Sequence, residues 1–463
     1  MSGQWRIVLC FAIGITFCGC NTLYREAVAA RHDLMYGTGE VASKRAEKMA
    51  ASTINRKLGC LELSRIKMLH GDFSGSSAVL GPLLDELFDE TNEGQVLKKG
   101  EIAGNIMAGT FGDDNSIPYE LPAFELLFGL QYQAVNQLSL GERDNARVYL
   151  RRATAVQEQL KEENETVASS DEENSANAQN AATAAEQIAT SIAPVADTVR
   201  ASYENALAWY LMGAFLMLEN DPSNAEIAYR EAGRINPDIA PLTAIPAGSG
   251  QDVAVVYEEN LIDMREPIKI PLPFWGTLWS VDFPIYKAPA YSPSSVAVEA
   301  GGVLAATCVP VVNVQALAYR DLKDRIPGIA TRNVTRAAVK IAAQIAANQI
   351  DTGSNIGNLA IKLGTMAYNA TSTILTEADT RVWLTLPEYV QLARLRLQPE
   401  QKSIVIRNTQ TGRSCEVVIP EGAGRGMLLI WITDVCGFAT ANVMEIGATG
   451  PSVWHRTTSL LNP

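Results

Sequence analysis

A chain of 463 residues with 47% hydrophobic and 19% charged side chains has a globular balance, and its length suits two domains better than one core. Its formal charge of −13 at pH 7 comes with no local block of Lys or Arg, which excludes an electrostatic footprint for nucleic acid. The same acidity argues against adsorption on an anionic membrane surface.

The N-terminus carries one charge, Arg6, before an apolar run from Ile7 to Phe17. That run matches a signal-peptide core of about 7–15 residues and falls short of the roughly 20 needed to cross a bilayer as a helix. It ends in Phe17-Cys18-Gly19-Cys20. This resembles the bacterial lipobox, an apolar residue and two small ones before the modified cysteine, with Phe17 where Leu is usual. The resemblance implies a signal peptide over 1–19, acylation of Cys20, and a mature charge of −14 once Arg6 is gone. Asn21 after the cysteine, rather than Asp, implies sorting to the outer membrane, facing the periplasm. An uncleaved anchor and a cleaved soluble signal are the alternatives.

Residues 20–55 are polar and Ala-rich, and read as an acylated tether running into a helix. Residues 56–240 read as helical hairpins. The clearest unit places Trp209, Met212, Gly213 and Leu216 on one helix, then Asp221 as N-cap and Pro222 at the first helical position of a second. The second helix carries Ala225, Tyr229 and Ala232 before Pro237 stops it. The spacing is that of a tetratricopeptide unit, in which small residues allow two helices to cross closely. Weaker copies lie upstream: Leu130, Ala134, Gly141, Ala146, Leu150 and Ala153; then Leu63, Ile66, Gly71, Phe73, Leu80 and Leu84. A low-complexity insertion over 161–199 reads as a helix end running into a mobile loop, because few large apolar groups offset its ordering entropy.

After a linker punctuated by Pro241, Pro246, Gly248 and Gly250, residues 250–463 read as a mixed α+β domain. Strands are expected at Val253–Tyr257, Ile268–Ile270, Trp279–Tyr286, Tyr389–Leu397, Ser403–Asn408, Cys415–Ile419 and Met427–Ile432. Thr409 to Gly412 reads as a hairpin turn, and Gly301 to Tyr319 stays open between strand and buried helix. Helices are expected from Pro327 to Gln349, preceded by a break at Ile326-Pro327, and from Ile356 to Thr373. The expected fold class is thus α+β: a tetratricopeptide-like helical array followed by a mixed domain.

Chemistry is sparse. His32, His70 and His455 stand apart without motifs, and neither Gly301-Gly302 nor the 422–426 glycines carry the Lys-Ser/Thr of a phosphate loop. Cys60, Cys308, Cys415 and Cys436 form no metal-ligand spacing, so neither a metal site nor a cofactor is expected. Cys415 and Cys436 are the candidate disulfide pair, with four small buried hydrophobes as the alternative. Arg332, Arg336 and Lys340 recur every four residues, giving either a contact for an anionic partner or a row paired with acids such as Asp321 and Asp324. Glu377 and Asp379 could do acid–base work, or the cluster could pin a helix end onto a sheet.

The chain also resembles an uncharacterised family of tetratricopeptide-containing bacterial lipoproteins. The matching pieces are Asp252–Tyr257, Phe283-Pro-Ile-Tyr286, the helix of Arg332, Arg336 and Lys340, and Asp379-Thr-Arg381-Val-Trp383 with Leu386-Pro387. The resemblance spans most of residues 50–405 and implies no reaction. The functional expectation is a non-enzymatic, protein-binding scaffold in the cell envelope. An accessory factor of envelope biogenesis, such as an activator of peptidoglycan synthesis or a part of an export apparatus, is the narrower alternative. A hydrolase using Glu377 and Asp379 is the alternative from another class.

Overall fold

The computed structural model describes residues 20–36, 39–88, 96–98, 117–166, 176–246, 249–274, 277–287, 292–349, 378–419, 426–435, 438–446 and 455–457. Most helices lie in the N-terminal half and the sheets in the C-terminal part, an α+β fold. The helices are α1 (Cys20–Tyr36), α2 (Gly39–Ala50), α3 (Arg56–Leu69), α4 (Phe73–Asp85), α5 (Ala123–Ser139), α6 (Arg143–Thr166), α7 (Ala176–Ala196), α8 (Ala206–Leu218), α9 (Pro222–Ile235), the single turn α10 (Ala240–Thr243) and the long α11 (Val314–Gln349).

Three hairpins, α3–α4, α5–α6 and α8–α9, turn in the same way. Gly71, Gly141 and Asn220 take left-handed φ values of 72, 77 and 62°, which suit residues with no Cβ or a short polar side chain. The next residue then donates its N–H back across the helix end: Asp72 to the Lys67 carbonyl at 2.9 Å, Glu142 to Gln137 at 2.8 Å and Asp221 to Leu216 at 2.9 Å. These bonds satisfy carbonyls that a bare helix end would leave open. Asp72 and Asp221 cap the following helix, accepting from Gly75 N at 2.8 Å and Asn224 N at 3.3 Å. Where α8 meets α9, a Cβ on Gly213 would lie 2.6 Å from the Tyr229 ring, a distance only glycine allows without movement.

Three expectations change. Residues 20–36 and 39–50 are two helices rather than a tether running into one, with Tyr24, Ala27, Ala30, Leu34, Ala42, Ala46 and Met49 buried. Small alanines on one face let it dock closely despite its polar composition. The 161–199 insertion holds α7, a helix with Ala181, Ala184, Ile188, Ile192 and Ala196 buried in a stripe against α11. Composition missed this stripe because the average hides its helical spacing. Pro327 lies inside α11 rather than ahead of it; only the bond from its missing N–H is lost, and the helix carries on. The expected helix over 356–373 lies outside the described residues.

Six strands form the central sheet in the order β12 (His455–Thr457), β11 (Phe438–Ile446), β10 (Met427–Val435), β1 (Gln251–Glu259), β7 (Tyr389–Leu397) and β6 (Val309–Asn313), with β1 and β10 parallel. A second sheet runs β5 (Val303–Thr307), β4 (Val296–Ala300), β8 (Ser403–Asn408) and β9 (Ser414–Val418). A separate hairpin pairs β2 (Arg265–Phe274) with β3 (Thr277–Tyr286). Alternation assigns the faces of the central sheet. Val253, Val255, Tyr257, Leu428, Ile430 and Ile432 join the second sheet's Val298, Ile406 and Val417 in one core. Ala254, Val256, Leu429 and Trp431 join the helices in the other. A sheet covered on both faces explains why β1 and β10 read as unbroken apolar runs. The helix-side core extends from Tyr24 to Ile446, so the two halves of the chain share it rather than each having its own.

On that shared side lies a buried ion pair. Arg65 of α3 donates to Glu258 of β1 at 2.5 Å, with side-chain exposures of 1% and 0%. Thr433 and Tyr132 donate to the same carboxylate at 2.6 and 2.8 Å, and the Arg65 guanidinium stands 4.2 Å from the Tyr132 ring centre. Removing one partner strands a charge in the core. Arg65→Met should therefore lower unfolding free energy by about 3–5 kcal/mol in a denaturant titration, and the double change with Glu258→Gln should recover part of the loss. A single variant as stable as the parent would contradict this account.

Candidate functional site

Residues 378–388 lead into β7 with no regular structure, yet 381–388 are buried throughout. Buried irregular backbone needs partners for its polar groups. Here the helices and the β2 strand supply them. Glu125 of α5 accepts from Trp383 N at 2.8 Å, and Glu62 of α3 accepts from Leu384 N at 2.6 Å and the Thr385 hydroxyl at 2.7 Å. Tyr119 donates its hydroxyl to Glu125 at 2.7 Å, and Arg265 of β2 donates to the Arg381 carbonyl at 3.3 Å. Trp383 is fully buried against the Tyr132 ring, 5.7 Å between centres and edge-on. The segment sits among the helices much as a bound peptide would.

Beside it lies a cavity of about 30 Å³, room for about two waters, lined by Arg265, Arg325, Arg332, Arg381, Asp379 and residues 117–120. Each guanidinium arrives on a different support or turn: β2 for Arg265, positions two turns apart on α11 for Arg325 and Arg332, and the irregular segment for Arg381. Asp379 holds Arg381 through both oxygens, each at 2.8 Å, and Arg381 reaches on to Asn55 Oδ1 and the Ile117 carbonyl at 3.1 and 3.0 Å. Burial works to raise the Asp379 carboxyl, but the charge and hydrogen bonds of Arg381, with Arg265 behind it, hold it below the usual carboxylate range. Arg265 and Arg325 share one oxygen of Asp321, each at 3.3 Å. Arg265 also donates to the Tyr286 hydroxyl at 2.9 Å.

This places the sequence candidates. Arg332 lines the cavity, and Arg336 is buried one turn further along α11; the Lys340 side chain lies outside the described residues. Asp321 pairs with Arg265 and Arg325, and Asp324 with Arg320. Asp379 is committed to Arg381, and Glu377 lies outside the described residues. Cys415 is buried on β9, while Cys436 lies outside the described residues. Trp209, Met212, Leu216, Ala225 and Ala232 are buried in the α8–α9 hairpin, Tyr229 packs partly buried against them, and Pro237 opens a short 3₁₀ turn after α9. Cys20 is the first residue of α1. Among the described residues no cluster of His, Cys, Asp or Glu could hold a metal, and no helix is long and apolar enough to cross a membrane. Sequence reasoning missed Arg265 and Arg325. Arg325 stands seven residues before Arg332, two helical turns along one face, and that spacing was the available signal.

No family model matches the chain, and no curated protein or solved structure matches it.

The two carboxyls that hold the irregular segment make stability depend on pH. Burial pushes Glu125 up to about 8 and Glu62 up to about 7, against the opposing hydrogen bonds from Trp383 and Tyr119 and from Thr385 and Leu384. Burial raises Glu388 to about 7 as well. A carboxyl raised in the fold keeps its proton where the unfolded chain has lost it. Its contribution is therefore complete below the ordinary value of 4.5 and lost as pH rises through the folded value. Asp379, lowered, works in the opposite sense and weakens the fold only as pH falls below its ordinary 3.8. The melting temperature should thus fall between about pH 5 and about pH 8, and Glu62→Gln with Glu125→Gln should flatten that slope in calorimetry. An unchanged slope in the double variant would show that these groups do not set it.

Proposed function

We propose that the chain is a lipoprotein acylated at Cys20, anchored in the outer membrane and facing the periplasm, where it acts as a non-enzymatic scaffold for a protein partner. The observation that carries the scaffold reading is the stack of hairpins with one repeated turn. The left-handed residues at 71, 141 and 220 and the close crossing at Gly213 and Ala225 support a tetratricopeptide-like array. Such arrays offer extended surfaces to protein partners. The partner surface in this reading is not the groove of α3 and α5, because residues 381–388 of the same chain fill it. It is the outer side of the adjoining α5–α6 and α8–α9 hairpins, where Leu140, Val148, Leu218 and Ile227 are exposed. Arg143 and Arg147 join the two hairpins through Glu219, both at 3.0 Å.

The hydrolase alternative loses support at Asp379. Both of its oxygens bind Arg381, and its carboxyl is held ionised, so it has no proton to give as a general acid.

Both parts of the reading can be tested. Labelling with palmitate should mark the parent chain and leave Cys20→Ala soluble and unlabelled; unchanged labelling in the variant overturns the anchor. Crosslinking in cells should capture a defined partner with the parent chain, and Leu218→Asp with Ile227→Asp should lose it while retaining the parent's melting temperature. Capture that is equal in the variant removes the outer hairpin face as the binding surface.

A further inference from the structure

We propose that the arginine-lined cavity between β2, α11 and the 378–388 segment binds a phosphate group, and that in the anchored protein this is the phosphate of a lipid headgroup. The argument starts from how the guanidinium groups are neutralised. Arg381 is saturated: Asp379 meets it with two bonds of 2.8 Å. Arg265 and Arg325 have one carboxylate between them. They share Asp321 Oδ2, each at 3.3 Å, where an ionic hydrogen bond closes to about 2.7–2.9 Å. Asp321 is thus one carboxylate stretched between two cations. Among the described residues, Arg325 has no other side-chain hydrogen bond than this one, and its side chain is 19% exposed. Arg332 lines the same cavity two turns along α11. The remaining acid of the lining, Glu120, is exposed at the rim. Four guanidinium groups, from Arg265, Arg325, Arg332 and Arg381, line this one hollow of a chain of net charge −13.

The shape of the arrangement selects the anion. A carboxylate is planar and is matched by one guanidinium fork. Here the guanidinium groups that line one hollow come from a strand, a helix and an irregular segment, and a tetrahedral oxyanion can take donors from several such directions. The buried ones, Arg265 and Arg381, are fixed by Tyr286 and Asp379, so their positions are set before any ligand arrives.

The source of the phosphate follows from α1, and only this clause rests on the anchored reading above. Tyr24 is buried close enough to Arg265 and Asp379 for both charges to act on its hydroxyl. Cys20 precedes it by four residues, about 6 Å along the helix. An acylated Cys20 would bring the cavity to the headgroup layer.

The test uses the full chain carrying Cys20→Ala, so that no acyl chain contributes. Inorganic phosphate at millimolar concentration should raise the melting temperature, and acetate at equal ionic strength should not. Arg325→Gln and Arg332→Gln should each weaken phosphate binding about tenfold or more in calorimetric titration. Arg407→Gln, on β8 beside Glu299 and in the other sheet, should leave it unchanged. Absence of a phosphate effect, an equal effect of acetate, or binding insensitive to Arg325→Gln overturns the proposal. Flotation with phosphatidylcholine vesicles containing phosphatidic acid then separates the sources. Flotation that is lost in Arg325→Gln and competed by inorganic phosphate supports a headgroup; phosphate binding without flotation assigns the site to the free ion and overturns the headgroup source. Should palmitate labelling of the parent fail while phosphate still binds, the anchored reading falls and the phosphate site stands.

Discussion

Backbone that is buried without forming a helix or a strand must find partners for every amide, and at 381–388 this requirement shapes the rest of the molecule. Two glutamates from different helices, Glu62 and Glu125, turn inward to receive the amides of Leu384 and Trp383. An acid on an inner helical face is costly unless it is bonded. Its presence therefore ties the two halves together: the glutamates need the segment, and the segment needs the glutamates. Because the segment leads directly into β7, the central sheet is positioned against the helices by the same bonds.

The arginines follow a related logic with a different outcome. Arg65 is enclosed and paired with Glu258, so it acts as a structural rivet between α3 and β1. Arg381 is matched by Asp379 and serves to hold residues 117–119 and Asn55 around the segment. Arg265 and Arg325 share one acid, Asp321, and line the cavity together with Arg332 and Arg381.

Much of the β half was legible in the sequence. Ser403–Asn408 and the turn at Thr409 to Gly412 follow from alternation and turn chemistry, and β7 from its dense apolar run. The hairpin turns at Gly71 and Gly141 were visible as glycines between periodic segments. Helices packing through alanine were harder to see: α1 and α7 look polar or disordered in composition because their contact stripes use small side chains. Within the site, the Arg332 row stood out by its spacing of four, and the segment from Glu377 to Trp383 by its density of polar groups. Arg265 did not, because its neighbours Asp321 and Arg381 lie 56 and 116 residues away, and only folding brings them together.

That separation has a consequence for how the chain reaches its native state. Arg65 waits 193 residues for Glu258 and 368 for Thr433, and Glu62 waits 322 for Leu384. The helical hairpins rest on local contacts and can form early and fast, whereas their charged inner faces are completed only by residues far along the chain, Glu258 on β1 and 383–385. Closing loops of this length costs entropy that is recovered only when both ends are in place. The C-terminal strands are therefore the closing step of folding. A chain halted before residue 383 would display Glu62 and Glu125 on a half-built helical surface, open to whatever extended peptide met it first.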